Sequence, residues 1–338
     1  MTRIERPIGG VFGLLDQAET GTGYPAIRSS SALCLVNGRS AIAYLLEAIG
    51  TERVWLPSYL CESVLAAVGV REARWYDVAD GLAPTDLNWL EEVAPGDFIL
   101  CINYFGWRPA AGFYPAMTAR GALILEDGSQ SMLTEEIGEG AHFYLTVPRK
   151  FVGVPDGAVL MASGEMVVPR QELIPPPEDW WRIAHRANLG RRASDLGVGR
   201  SDWYRDFAAA ERSQPIGLYA MSDISRELLG RLDPGWIRAR RRRNYLHLES
   251  ALRPIALFES LPPEVVPLGF PGRLPDRDER RRQLIDRQIF PPVHWPIEGV
   301  VPDRFQASHR LSSQILTLPC DQRYDSFDMD RIIEVLSS

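Results

Sequence analysis

The residue with the most distinctive chemistry in this chain is its single lysine, Lys150. Lysine and arginine together number 37, so the other 36 basic side chains are arginine. Arginine replaces lysine readily in ion pairs and at the solvated surface, but its guanidinium stays protonated and cannot form an imine. Lys150 is therefore a candidate for Schiff-base chemistry, with an ordinary surface or ion-paired lysine as the alternative.

A carboxylate that could work with this lysine comes from the stretch Ile124-Leu-Glu-Asp-Gly-Ser-Gln130. Asp127 is predicted to lie just past the end of an apolar strand, where ligands bind in open α/β sheets. A carboxylate there can pair with a protonated pyridine nitrogen, or it can simply cap the following turn. Lys150 lies between two later predicted strands, and Gly153 and Gly157 let the backbone turn sharply beside it.

A third feature is the stretch Asn37-Gly-Arg-Ser-Ala41, which opens a predicted helix. Helix N-termini present unpaired N–H groups and a positive dipole end, which suit a phosphate. The stretch could equally be an ordinary helix cap. Together with Asp127 and Lys150, it completes the three requirements for binding pyridoxal phosphate (PLP): a phosphate cup, a partner for the pyridine nitrogen, and an imine-forming amine.

The composition excludes several other classes of protein. A formal net charge of -7 argues against binding nucleic acid over the whole surface. No run of about 18 apolar residues and no leader-like N-terminus is found, so a cytoplasmic protein outside the membrane is expected. The four cysteines are scattered, without CxxC or histidine at metal-ligand spacing, and neither a disulfide framework nor a metal site is predicted.

The first half of the chain alternates short apolar runs with helical patterns, which is typical of a mostly parallel sheet covered by helices. Helices are predicted at 40–49 and 63–68, and strands at 53–56, 73–78, 97–104, 122–125, 143–147 and 158–161. The stretch 169–214, rich in Pro, Trp and Arg, shows no clean period and is interpreted as irregular structure with short helices.

Long arginine-rich helices are predicted from Ser222 to about Leu252, followed by short strand and helix signals that end at 315–336. A long helix is a natural connector to a smaller domain. The predicted organisation is a large domain at 1–232 and a small C-terminal α+β domain at 233–338.

These motifs resemble those of the DegT/DnrJ/EryC1/StrS sugar aminotransferases, which have fold type I of the PLP-dependent enzymes. Asn37-Gly-Arg-Ser-Ala41 resembles the family's Gly-Thr-x-Ala-Leu helix start, and Glu126-Asp-Gly-Ser-Gln130 resembles Glu-Asp-Ala-Ala-Gln. The similarity runs over most of the chain. Further similar segments are Leu56-Pro-Ser-Tyr-Leu-Cys61, Tyr104-Phe-Gly106, the lysine loop from Phe143 to Gly157, Ser222-Asp-Ile-Ser-Arg226, Arg240 to Tyr245, and Leu316-Thr-Leu-Pro319.

The resemblance implies a large domain with a mostly parallel, seven-stranded type of sheet, and a role for each residue of the site. Lys150 would carry the Schiff base and then act as the catalytic acid and base, Asp127 would pair with the pyridine nitrogen, and Gln130 would contact the phenolic side of the ring. Gly38, Arg39 and Ser40 would hold the phosphate. Fold type I sites lie between subunits, so a homodimer with shared active sites is also implied.

The chain departs from the family's pattern in three places. Where the family has an aromatic residue stacked on the ring this chain has Cys61, and Tyr59 is the candidate to stack instead. Thr146 is the nearest candidate for the serine that touches the phosphate. The family's Gly-x-Asn-x-Arg-Met segment, which serves the partner subunit's site, corresponds to Gly217-Leu-Tyr-Ala-Met221 and lacks both the Asn and the Arg.

The predicted function is PLP-dependent transfer of an amino group from glutamate or glutamine to a nucleotide-linked keto-sugar, in polysaccharide or secondary-metabolite synthesis. Two half-reactions pass through pyridoxamine phosphate. Retention of Lys150 favours transamination over the dehydratase branch, in which histidine replaces the lysine. The alternatives are another PLP reaction, such as a lyase or a non-sugar transaminase, and a non-catalytic binding protein of the same fold. His185, Asn188 and His294 are interpreted as structural.

Overall fold

The computed structural model describes residues 6–15, 21–78, 81–84, 86–110, 112–198 and 202–337. Eleven strands lie in these residues. They are β1 (Ile8–Gly9), β2 (Leu33–Leu35), β3 (Arg53–Pro57), β4 (Glu72–Tyr76), β5 (Phe98–Ile102), β6 (Leu123–Asp127), β7 (Phe143–Thr146), β8 (Ala158–Ala162), β9 (Phe270–Arg273), β10 (Ile289–Phe290) and β11 (Ile315–Leu318).

Seven of the strands form the central sheet, in the order β2-β8-β7-β6-β5-β3-β4. The pairs from β4 to β7 are all parallel, while β8 runs antiparallel to both β7 and β2. β2, β6 and β7 therefore point the same way and end at the same edge of the sheet. The polar segments that follow these strands come together there, as the sequence predicted for an open α/β sheet.

Ten helices accompany the sheet in the described residues. They are α1 (Gly38–Ile49), α2 (Glu62–Val68), α3 (Phe113–Thr118), α4 (Glu178–Asp195), α5 (Trp203–Arg212), α6 (Asp223–Leu229), α7 (Pro234–Leu252), α8 (Arg277–Asp286), α9 (Gln306–Gln314) and α10 (Ser326–Ser337). The ends of α1 follow from its sequence. Asn37 caps the start by accepting a hydrogen bond from the Ser40 N–H, and Gly50 ends the helix in the left-handed conformation at φ 66°.

The strands predicted in the first half are confirmed to within a few residues, because most are continuous apolar runs. All five residues of β5 are buried, for example, as expected of a strand covered on both faces. Phe105 and Phe143 also belong to the large hydrophobic core around this sheet.

The irregular structure predicted at 169–214 is wrong in one respect, because α4 is a regular helix of 18 residues. Its buried residues, Trp180, Ala184, Ala187 and Arg191, follow the three-to-four spacing of a helix face. Two of them are alanine and one is arginine, so no apolar period stands out in the sequence. The face of α4 is recognisable only once α5 is seen packed against it.

A second core lies in the C-terminal part, where β9 and β11 pair antiparallel and α7, α8 and α10 pack around them. It contains Tyr245, Leu248, Phe270 and Leu316, all fully buried. The N-terminal strand β1 joins this part by pairing in parallel with β10. The observed elements fit the predicted small domain, and the boundary at 232/233 stays a prediction.

One buried side chain, Arg241 on α7, connects this C-terminal part to the turn that carries Lys150. It is fully buried and donates to the main-chain oxygens of Phe151 (3.1 Å), Pro267 (3.1 Å) and Leu268 (3.0 Å). The Gln322 amide also donates to the Phe151 oxygen, at 2.7 Å. The residue directly after Lys150 is therefore fixed by two donors from the C-terminal part.

Within the described residues, no helix is long and apolar enough to cross a lipid bilayer. The same residues contain no group of three or more His, Cys, Asp or Glu side chains that could hold a metal ion.

We expect Arg241→Met to lower the free energy of unfolding by about 2–4 kcal/mol, because several buried carbonyl oxygens lose their donor while the side-chain volume is roughly kept. Urea unfolding monitored by circular dichroism measures this difference. Arg243→Met, at an exposed position on the same helix, is the matched control and should change stability by less than about 0.5 kcal/mol. Equal losses in the two variants would contradict the importance of the buried contacts.

Candidate functional site

A cavity of about 990 Å³ opens at the carboxyl edge of the central sheet. Five of the eight predicted site residues lie in its wall, namely Gly38, Arg39, Asp127, Gln130 and Lys150. They come from the segments that follow β2, β6 and β7, so the strand directions alone explain how residues distant in sequence meet. The other three, Ser40, Tyr59 and Thr146, lie outside the wall.

Lys150 ends a short 3-10 turn, Pro148–Lys150, that follows β7 directly. The backbone beyond it is held tightly, because the Leu15 N–H donates to the Gly153 oxygen at 2.7 Å. A Cβ at position 153 would lie 1.7 Å from the Gly13 oxygen, so only glycine permits this close approach of two backbone segments. The predicted role of Gly153 in shaping the lysine loop thus has a steric cause.

The Lys150 amine lies in a desolvated environment beside a carboxylate. Burial lowers its pKa from the ordinary value of 10.5, and the negative charge of Asp127 opposes this effect without cancelling it. A lysine with a lowered pKa has more of the neutral, nucleophilic form near neutral pH than an exposed lysine has. This is the state that imine formation requires.

Asp127 and Gln130 occupy opposite ends of a tight turn at the end of β6. Asp127 is 6% exposed, and its Oδ1 accepts the Ser129 N–H at 2.9 Å, which fixes the carboxylate at the cavity wall. The Gln130 Oε1 accepts the Phe105 N–H at 2.7 Å. Its Nε2 is buried without a hydrogen-bond partner among the described residues, which leaves the amide NH2 group available to donate to a ligand.

The start of α1 forms another corner of the cavity. Gly38 and Arg39 are the first two residues of the helix, and both line the wall. A Cβ on Gly38 would lie 3.1 Å from the Val147 side chain, so glycine preserves the space here. The predicted phosphate cup therefore lies on the same cavity as Lys150 and Asp127.

Ser40 and Thr146 lie close to this corner, but their hydroxyl groups are directed elsewhere. The Ser40 hydroxyl donates to the Pro215 oxygen and accepts the Gly217 N–H, each at 3.3 Å. Thr146 shares a hydrogen bond of 2.9 Å with the buried Tyr24 hydroxyl. Side chains alternate along a strand, so Leu145 and Val147, not Thr146, face Gly38.

Tyr59 does not line the cavity, contrary to the expectation that it could stack on a cofactor ring. It is fully buried, with its ring packed against Tyr104 and Trp295 at centroid distances of 5.9 and 5.7 Å. Its hydroxyl donates to the His294 oxygen and accepts the Trp295 N–H at 3.0 Å. Tyr59 thus supports the segment 294–295, which forms part of the wall.

His294, Ser129 and Cys61 are among the cavity residues that were not predicted to belong to the site. Burial and the charge of Lys150 lower the pKa of His294 to about 3, so its imidazole is neutral at physiological pH. Its Nδ1 is fixed by Thr317 at 2.9 Å. No spacing in the sequence marks His294, whereas Ser129 stood inside the Asp127 motif and could have been considered.

The outer wall comes largely from α4 and α5. It contains the aromatic side chains of Trp180, Trp203, Tyr204 and Phe207. Arg149, next to Lys150, forms a bidentate ion pair with Glu211 of α5 at 2.7 and 3.2 Å. This pair ties α5 to the lysine turn.

We expect Lys150 to react with amine-directed reagents at lower pH than an exposed lysine, because its pKa is lowered. In Asp127→Asn the reactive range should extend to still lower pH, since the charge that raises the pKa is removed. Labelling with trinitrobenzene sulfonate over a pH series, followed by peptide mass spectrometry, measures the midpoint at Lys150. A midpoint at or above 10.5 in the parent protein would refute the desolvated environment.

Cys61 is the only one of the four cysteines that is not buried, and it lines the cavity. We therefore expect iodoacetamide to modify one thiol in the folded protein and all four after denaturation. Intact-mass measurement counts the modified thiols, and peptide mapping locates them. Cys61→Ser is the control that should remove the labelling of the folded state, whereas rapid labelling at Cys34, Cys101 or Cys320 would contradict the observed burial.

A scan against protein-family models and a search of curated proteins each returned no match to this chain. Solved structures do match over nearly the whole chain. A DegT DnrJ EryC1 StrS aminotransferase from Brucella abortus shares 18% identity at a TM-score of 0.63, over 90% of this chain and 85% of that chain. The sugar aminotransferase CalS13 from Micromonospora echinospora shares 16% identity at a TM-score of 0.63, over 92% and 88%.

The PLP form of Spr1654 from Streptococcus pneumoniae shares 13% identity at a TM-score of 0.66, over 97% of each chain. At such identities the likeness concerns the course of the backbone, and it extends through both the central sheet and the C-terminal part. The chain therefore has the fold of the DegT/DnrJ/EryC1/StrS aminotransferases, an α/β fold of type I with a large, mostly parallel central sheet.

Proposed function

We propose that this chain is a PLP-dependent aminotransferase. The observation that carries the proposal is the composition of one cavity: the only lysine of the chain shares it with the carboxylate of Asp127 at a strand end and with the N-terminus of α1. Neighbours of the same fold include an aminotransferase from Brucella abortus and the PLP form of Spr1654. The fold and the local chemistry therefore favour the same function.

The residues present fit this cofactor. The unpartnered Gln130 Nε2 could donate to a phenolic oxygen, Asp127 could accept from a pyridine N–H, and Gly38 leaves room for a phosphate at the helix start. When bound, the cofactor supplies an aldehyde and an electron-withdrawing ring. Asp127 would hold the ring nitrogen in its protonated form, because a carboxylate favours a positive partner.

Lys150 has two tasks in this proposal. Its neutral amine would hold the cofactor, and the same Nζ would serve as the base and then the acid that moves a proton at the substrate carbon. The loss of solvation that lowers its pKa suits both tasks. The neutral imidazole of His294 can form a hydrogen bond beside this amine without adding a second positive charge.

For the substrates, we propose glutamate or glutamine as the amino donor and a nucleotide-linked keto-sugar as the acceptor. The sugar aminotransferase CalS13 supports the sugar class. The cavity is large enough for a substrate as well as a cofactor, because pockets for sizeable ligands span about 300–1,000 Å³. A homodimer is part of the proposal, supported by exposed apolar side chains at Ile174, Ile216 and Leu218.

The test uses the single lysine. Incubation with PLP should give a yellow protein, and borohydride reduction should leave a pyridoxyl group on the Lys150 peptide. Lys150→Arg keeps the positive charge but cannot form an imine, so it should stay colourless and unmodified. Addition of glutamate or glutamine to the yellow protein should then bleach the colour and release the matching oxo acid.

The outcomes separate the candidate functions. Modification of Lys150 without release of an oxo acid from any donor would favour another PLP reaction. A colourless protein with unmodified Lys150 in excess PLP would refute the proposal and favour a binding protein without catalysis.

A further inference from the structure

The corner of the cavity at the start of α1, where the sequence predicts the phosphate cup, has unsatisfied hydrogen-bond donors. The main-chain N–H groups of Gly38 and Arg39 have no hydrogen-bond partner among the described residues, because the Asn37 cap serves Ser40 and Ala41 instead. Two free N–H groups at the positive end of a 12-residue helix favour an anion.

A second observation at this corner is the hydroxyl of Ser129. The residue is only 7% exposed and lines the cavity, and its hydroxyl has no partner in the part of the chain that the structure describes. Its Oγ lies 4.0 Å from the position that a Cβ on Gly38 would occupy. Because this hydroxyl opens onto the cavity without a protein partner, it is available to donate to a ligand.

The charge at this corner comes from Arg39. Arg149 is neutralised by its bidentate pair with Glu211, whereas the half-buried guanidinium of Arg39 forms no ion pair or hydrogen bond with any described residue. Burial raises the pKa of Glu211, but Arg149 and, more weakly, Arg39 lower it below its usual value. Arg39 is thus near the pair but remains the unmatched positive charge.

The hydroxyls that were expected to serve a phosphate are already occupied. Ser40 binds the loop at Pro215 and Gly217, and Thr146 binds Tyr24. The loop that Ser40 holds belongs to the segment that lacks the family's Asn and Arg. This segment lies beside its own β2, where the Met221 N–H donates to the Cys34 oxygen at 3.1 Å.

We propose that the Arg39 side chain, the Ser129 hydroxyl and the N–H groups of Gly38 and Arg39 bind the phosphate ester of the cofactor within one chain. Ser129 and Arg39 take the place of the Ser40 and Thr146 contacts expected from the sequence. Arg39 supplies the positive charge that the segment 217–221 does not. The inference rests on the proposed function, because it assigns the phosphate to the cofactor.

The test compares PLP with pyridoxal, which lacks the phosphate but keeps the aldehyde and the ring. Both can form an imine with Lys150, so its absorbance gives a dissociation constant for each compound. The measured quantity is the ratio of the two dissociation constants. Both compounds carry the same aldehyde, so a variant that changes imine formation alone changes both constants alike and leaves the ratio unchanged. The proteins are the parent chain, Arg39→Ala, Arg39→Gln, Ser129→Ala and, as the matched control, Ser40→Ala.

We expect Arg39→Ala and Arg39→Gln to reduce the preference for PLP about 10- to 100-fold, since each loses a charge-assisted contact with the phosphate. Ser129→Ala should reduce it about 3- to 10-fold. Ser40→Ala should leave the ratio unchanged. Pyridoxal binding itself should stay constant, which separates the role in phosphate binding from damage to the fold.

An unchanged ratio in both Arg39 variants, with PLP still bound at Lys150, would overturn the inference and leave the proposed function intact. In that case Arg39 would be free to meet an anionic substrate group instead. A loss of preference in Ser40→Ala equal to that in Ser129→Ala would also overturn it. Failure of the parent protein to bind either compound at Lys150 would count against the proposed function itself.

Discussion

The whole site depends on the direction of three strands. β2, β6 and β7 end at one edge of the sheet, and each is followed at once by a polar segment: the start of α1, the turn at Asp127 and the turn at Lys150. A parallel sheet must be buried on both faces, so its strands are apolar and its chemistry is displaced to the ends. The reactive residues therefore need no long loops to meet, and their positions are fixed by the hydrogen bonds of the sheet.

At this edge of the sheet, burial and the charge of Asp127 act in opposite directions on the pKa of Lys150. The lysine amine loses solvation at the cavity wall, and the Asp127 carboxylate compensates for only part of that loss. The positive charge of Arg149 lowers the pKa of Lys150 further, although Arg149 is itself paired with Glu211. Arg241 is engaged with main-chain oxygens and Gln322.

The sequence predicted six of the seven strands of the central sheet and the residues that lie close to its edge, because these follow from apolar runs and from polar residues at their ends. The short strand β2 was not predicted. It failed where the decisive information lay in tertiary contacts. α4 was missed since its buried face consists of Trp, Ala and Arg, and Thr146 was assigned to the site although strand alternation turns it towards Tyr24. Tyr59 and Ser40 have suitable side chains at suitable positions in the sequence, but their hydroxyl groups donate to oxygens of residues distant in sequence.

Because Arg241 and Gln322 both donate to the Phe151 oxygen, the position of the Lys150 turn depends on the C-terminal part. A shortened chain that ended before Gln322 would retain the residues of all seven strands of the central sheet and of the cavity wall. The peptide group after Lys150 would nevertheless lose one of its two anchors. The C-terminal part thus supports the turn that carries Lys150, and the position of this amine depends on the last segment of the chain.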